Sequence, residues 1–179
     1  PRYNVAPTPQ MPFILAPEGR RVARWMHWGL LSPWSKWGEA GRTINARAET
    51  VHESRAYRAA FQKRRAIVPA TGFYEWRREG DRKVPHLIRP PEREGRPGTL
   101  AMAGLWQAWK DPRDGAWIDT YTVITCPANG PVSAIHDRMP VLLPPEAWGS
   151  WLDPGSDPAA LASLLVPAAD DAVELVEVS

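Results

Sequence analysis

Prolines and glycines punctuate this chain from end to end, 20 and 13 of them in 179 residues, and they rule out long uninterrupted helices. What remains is a set of short elements joined by turns, which favours a β-rich or α+β fold over a helical bundle. Hydrophobic residues make up 44% and charged residues 23%, so the chain can bury a core as a single domain.

The punctuation divides the chain into readable pieces. Residues 1–17 read as a proline-rich loop entering a short strand, and 21–31, with Val22, Trp25, Met26, Trp28 and Leu30, as a strand. Residues 32–42 form a loop holding Trp34 and Trp37. The best helical spacing, Ala56, Tyr57, Ala60 and Phe61, predicts a helix over 53–65. Strands at 66–77 and 84–88 flank a polar hairpin loop, an exposed connection follows at 89–98, and a second hairpin joins 100–109 to 118–125. A strand over 135–143, short helices at 145–152 and 157–165 with Asp157 as N-cap, and a strand at 173–178 complete the reading. The expected architecture is an α+β domain: a twisted, antiparallel, barrel-like core flanked by a few short helices.

Charge is nearly balanced at +2, so no global field advertises a nucleic-acid partner. The basic residues are nevertheless clustered: Arg20, Arg21 and Arg24; Arg42 and Arg47; Arg55, Arg58, Lys63, Arg64 and Arg65. Ten tryptophans can fill a core or offer flat faces to bases. The single cysteine, Cys126, permits no internal disulfide and fits a reducing compartment. No run approaches the roughly 20 apolar residues of a membrane span, and no charged-then-apolar signal segment opens the chain. A soluble cytoplasmic protein, monomeric, is the expectation.

Three polar islands interrupt apolar runs, and burying such groups costs energy unless something satisfies them. In Ile44-Asn45-Ala46-Arg47-Ala48-Glu49-Thr50, alternation puts Asn45 and Arg47 on one strand face, an amide and a guanidinium suited to a sugar beside a phosphate. The same residues also fit a turn cap and an Arg47–Glu49 ion pair. In Gly72-Phe73-Tyr74-Glu75-Trp76, a carboxylate walled by aromatics becomes an acid or base usable near neutrality, unless Glu75 faces outward toward Arg77 or Arg78. In Ile135-His136-Asp137-Arg138-Met139-Pro140-Val141, His136 and Arg138 share a strand face with Asp137 opposite. His136 suits proton transfer or oxyanion stabilisation, or equally a bond to a core carbonyl. His27, His52 and His86 have no comparable company and read as structural or surface residues. Histidine and cysteine spacing shows no metal-ligand pattern, and no phosphate-cradling glycine loop occurs. Cys126, followed by Pro127 at the end of a strand, reads as a buried small hydrophobe rather than a nucleophile.

Taken in order, the three islands resemble the SOS-response-associated peptidase (SRAP) domain, over Arg2 to about Leu152, with one domain spanning 1–179. The resemblance implies binding of single-stranded DNA with abasic sites and a covalent thiazolidine crosslink made by an N-terminal cysteine, in the DNA damage response. It implies sugar contacts or proton transfer for Asn45, Glu75 and His136, phosphate contacts for Arg47 and Arg138, and a wedge beside the lesion from Asn4, Pro7 and Trp34. It implies no cofactor and no metal, and a place near the nucleoid when DNA is damaged. The chain opens on Pro1-Arg2-Tyr3-Asn4, a stretch the family reaches only after its cysteine, so the expectation is a truncated member that binds DNA without crosslinking. Pro1, a secondary amine, is a weaker nucleophile candidate. A non-covalent DNA-binding module and an autoproteolytic peptidase are the alternative readings.

Overall fold

A computed structural model describes residues 4–7, 9–92, 95 and 98–178. Pro1, Arg2 and Tyr3, including the amine of Pro1, lie outside them. Five strands close a barrel: β1 (Gln10–Leu15), β2 (Val22–Trp28), β4 (Arg65–Ala70), β7 (Leu100–Lys110) and β8 (Trp117–Pro127), in the order β2-β1-β4-β7-β8. The barrel is mixed rather than wholly antiparallel. Its closure is a parallel pairing of β2 with β8, His27 opposite Thr120 and Trp28 opposite Tyr121. Two short strands extend β8: β3 (Asn45–Arg47) runs parallel to it, and β9 (Arg138–Pro140) antiparallel. A second sheet orders β5 (Phe73–Glu79), β6 (Arg82–Arg89) and β10 (Glu174–Glu177) as β10-β6-β5.

The barrel interior is dry and aromatic. Phe13 and Tyr121 are buried with ring centroids 3.8 Å apart, and Ile124, Leu105 and Cys126 share the same core. Trp151, on α3 (Trp148–Leu152), is fully buried and donates from Nε1 to Ala66 O at 2.9 Å. Arg65 is 4% exposed because the backbone satisfies it: its guanidinium donates to carbonyls of Phe61, Gln62, Trp151 and Asp153. A buried charge is tolerable only when paired or fully hydrogen-bonded, and here the acceptors knot α1 (Arg58–Lys63) to α3.

Several expected boundaries move. The helix over 53–65 shrinks to α1, because residues 50–57 form successive turns in which Thr50 O and Ser54 O each accept two backbone N–H groups. The single strand over 66–77 is two strands in different sheets. The break falls at Gly72, where a Cβ would lie 2.7 Å from Ile88 O, so only glycine lets β5 start this close to β6. The strand over 135–143 is reduced to β9, with α2 (Gly130–Ser133) and a turn before it, so His136 precedes the strand. Asp157 does cap α4 (Pro158–Ala162), accepting from Ala159 N at 3.0 Å. The C-terminal stretch adds β10 to the second sheet, paired with β6. No helix among the described residues is long and apolar enough to cross a membrane.

Candidate functional site

The far end of β8 organises the site. Because β3 and β9 line its opposite edges, residues distant in sequence meet around Thr125: Arg47 stands opposite it on one side, Pro140 on the other. Asn45 and Arg47 are exposed while Ala46 between them is buried, so strand alternation sends both polar groups to one face as expected. The Tyr57 hydroxyl donates to Asn45 O at 3.2 Å and braces that strand.

Arg138 is engaged rather than free. Its two terminal nitrogens donate to the two carboxylate oxygens of Glu49, and Nη2 donates again to Thr125 O at 2.6 Å. The bidentate pair holds Glu49 below the usual carboxylate range, the hydrogen bond from Arg138 being the main cause. Glu49 therefore takes Arg138 as its partner, and the Arg47–Glu49 pair is not formed.

Glu75 sits half-buried on β5. Burial pushes its carboxyl above the ordinary range; the charge of His136 opposes that shift and the charge of Asp137 adds to it. The second and third islands are therefore coupled electrostatically, although β5 belongs to the smaller sheet. His136 is fixed by its own turn: its Nδ1 accepts from Arg138 N at 2.9 Å. Asp137 is not turned away from it, since a carboxylate oxygen lies 3.4 Å from the same ring nitrogen.

Asn129 is a residue that the sequence reading missed. It is 6% exposed; Oδ1 accepts from Val132 N, capping α2, while Nδ2 donates to Ala168 O and Ala169 O. Gly130 N donates to Asp170 Oδ1 at 2.9 Å. The loop carrying His136 is thereby tied to the segment that continues into β10, which pairs with β6 and so with the sheet carrying Glu75. The signal was present: Asn before Gly-Pro is an N-cap pattern. His86 is structural, one of the two roles that the sequence reading gave it. It is buried, stands opposite Glu75 in the β5–β6 register, and bonds Val84 O through Nδ1.

The wedge residues lie at or near the surface. Trp34 is exposed, Asn4 is exposed and Pro7 half-buried. Cys126 is fully buried in β8 and desolvation pushes its thiol up to about 11, which suits packing and not nucleophilic attack.

A family model described as SOS response associated peptidase (SRAP) matches residues 1–179. This chain belongs to that family. It is 38% identical over 182 residues to the abasic site processing protein YoqW of Bacillus subtilis, covering all of this chain and 79% of that one. It is 34% identical to the abasic site processing protein HMCES of Xenopus tropicalis, covering 93% of this chain and 58% of the relative. Among solved structures, a Bacteroides thetaiotaomicron protein superposes with a TM-score of 0.85 at 32% identity, covering 96% of this chain and 75% of that one. A Bordetella bronchiseptica protein gives 0.83 at 28%, covering 98% and 86%. Membership of the family and the SRAP fold therefore stand on both sequence and structural likeness.

Proposed function

We propose that this SRAP domain binds single-stranded DNA carrying abasic sites and that Asn45, Glu75 and His136 act on the opened sugar. The observation that carries the reading is the half-buried Glu75 carboxyl, raised by desolvation and coupled electrostatically to His136 and Asp137 of the third island. A carboxyl whose proton affinity is raised by burial can give a proton to a leaving oxygen and take one back. Its raised pKa has no role in the packing of β5 that a glutamine would not fill.

The reaction follows from the sugar's chemistry. An abasic deoxyribose opens to an aldehyde, and an α-amine, with a pKa of about 7.7–8.0, is partly neutral at physiological pH. Where a cysteine stands at the N-terminus, its amine adds to the aldehyde carbon to give a carbinolamine. Glu75 protonates the departing hydroxyl, one water leaves, and an imine remains. The thiol then adds to the imine carbon as its proton passes to nitrogen, closing a thiazolidine. One C–N and one C–S bond form, one water is lost, and nothing is oxidised or reduced. Asn45 holds a sugar oxygen, His136 stabilises the developing oxyanion, and Arg47 takes a flanking phosphate. Arg138, already bound to Glu49 and Thr125 O, contributes by shaping the β8 rim and adds positive charge there.

Non-covalent single-strand binding is the second reading, favoured by the exposed Arg47 beside exposed Asn45. Cleavage by Cys126 finds no support, because that thiol is sealed in the barrel. Binding to abasic single strands, followed by fluorescence anisotropy in rising salt, tests the reading. Affinity should fall with a slope of about −0.7 per phosphate contacted. Preference for duplex, or indifference to salt, would overturn it.

A further inference from the structure

We infer that Glu79 and Glu177 are positioning residues for Glu75: together they hold the Arg77 guanidinium away from it, and so leave the Glu75 carboxyl to exchange protons rather than to serve as half of an ion pair. The inference rests on the proton-transfer reading above and extends it to the rest of that strand face and to the C-terminal strand β10.

Strand alternation puts Glu75, Arg77 and Glu79 on one face of β5, with Trp76, 50% exposed, on the other. Arg77 therefore stands between two glutamates at equal spacing, roughly 7 Å along the strand on either side, and nothing local favours Glu79 over Glu75. The fold makes the choice. β6 lies between β5 and β10, and Glu177, His86 and Glu75 form one row across the three strands. Val84, opposite Arg77, offers no acceptor side chain, so the guanidinium spans β6: Nη2 lies 2.5 Å from Glu79 Oε1 and 3.5 Å from Glu177 Oε2.

These pairs are half-exposed, and pairs of that kind contribute little to stability. Arg77 Nε is buried with no hydrogen-bond partner among the described residues, which costs energy. The guanidinium thus keeps to the two carboxylates at the expense of one donor. What the arrangement changes is the company of Glu75. A cation within about 4–6 Å of a carboxylate lowers its pKa by about 1–3, enough to cancel what burial raises. The other charged groups around Glu75 have their own places. His86, opposite on β6, is buried, bonds Val84 O through Nδ1 and brings Nε2 to 4.0 Å from Glu177 Oε2. Arg82 stands opposite Glu79, at the exposed hairpin end of the same face. From the third island, the charge of His136 lowers the Glu75 carboxyl and that of Asp137 raises it.

Carbon-13 NMR of the full chain labelled at glutamate Cδ follows the titration of Glu75 directly, its signal being the one lost in Glu75→Gln. In the parent the midpoint should lie above the ordinary value of about 4.3. Glu79→Gln combined with Glu177→Gln should lower it by about 1 pH unit, because Arg77 is released to Glu75. The same two substitutions in an Arg77→Met background should move it much less, and Glu177→Asp should stay near the parent. Melting curves should also stay near the parent's, since half-exposed pairs are exchanged. An equal fall with and without Arg77 would mean that the two glutamates act only through their own charge. An unchanged midpoint in the double variant would mean that they do not hold Arg77 off. Either result overturns the inference and leaves Glu75 standing as the proton donor. An unchanged adduct rate for Glu75→Gln overturns that reading and the inference with it.

Discussion

The barrel interior and the rim formed by β3, β5 and β9 bury polar chemistry in opposite ways. In the core, Cys126 on β8 and Arg65, packed under α1 and α3, are enclosed and quiet: four carbonyls satisfy the guanidinium, and desolvation keeps the thiol protonated. On the rim, Glu75 is only half-buried, feels the charges of a histidine and an aspartate, and has no hydrogen bond among the described residues that would hold its proton state in place. Burial of a titratable group is thus no sign of function by itself. What separates the regions is whether neighbours complete the group or leave it able to exchange a proton.

Substitutions should separate the two regions. Trp151→Ala should cost about 3–5 kcal/mol in denaturant unfolding, since it removes a fully buried ring and its hydrogen bond to Ala66 O. A loss under about 1 kcal/mol would mean that α3 does not seal the barrel. Glu75→Gln, on the rim, should slow adduct formation by about 100-fold in a chain supplied with an N-terminal cysteine, with melting at neutral pH preserved or raised. An unchanged rate would remove Glu75 from proton transfer.

Two rim carboxylates should respond to pH with opposite signs. Glu49 is lowered by Arg138, so its stabilisation is present above its unfolded value of about 4.3 and is lost as pH falls through the folded one. Glu49→Gln should cost up to about 1 kcal/mol near pH 7, a difference that closes below pH of about 4. Glu75 is raised, so its ionisation costs stability as pH rises through its folded value. Glu75→Gln should therefore gain on the parent as pH increases; the same sign for both variants would contradict the contrast. The smallest effect belongs to Cys126→Ala: about 1 kcal/mol of packing and no change in adduct yield.

Much of this contrast was legible in the sequence, because it depends on local rules. Alternation placed Asn45 and Arg47 together, the run ending in Cys126-Pro127 indicated a buried thiol, and polar loops marked both hairpins. Contacts across the fold were not legible. Arg138 meets Glu49 only because β3 and β9 share β8, and Asn129 meets Ala168 only because the tail folds back. The break at Gly72 was hidden by continuous β-propensity on both sides: close approach to Ile88 O, not propensity, divides the strands. His136 was assigned to a strand for the same reason, and the α2 cap at Asn129 decided otherwise.

The most direct test supplies this chain with a family-type N-terminal Cys-Gly-Arg segment and incubates it with single-stranded DNA bearing one abasic site, read on a denaturing gel. A denaturant-resistant adduct should form with abasic DNA alone and should fall sharply in Glu75→Gln. No adduct, or an adduct of equal yield with intact DNA or with Glu75→Gln, would contradict the assignment of Asn45, Glu75 and His136 to abasic-site chemistry.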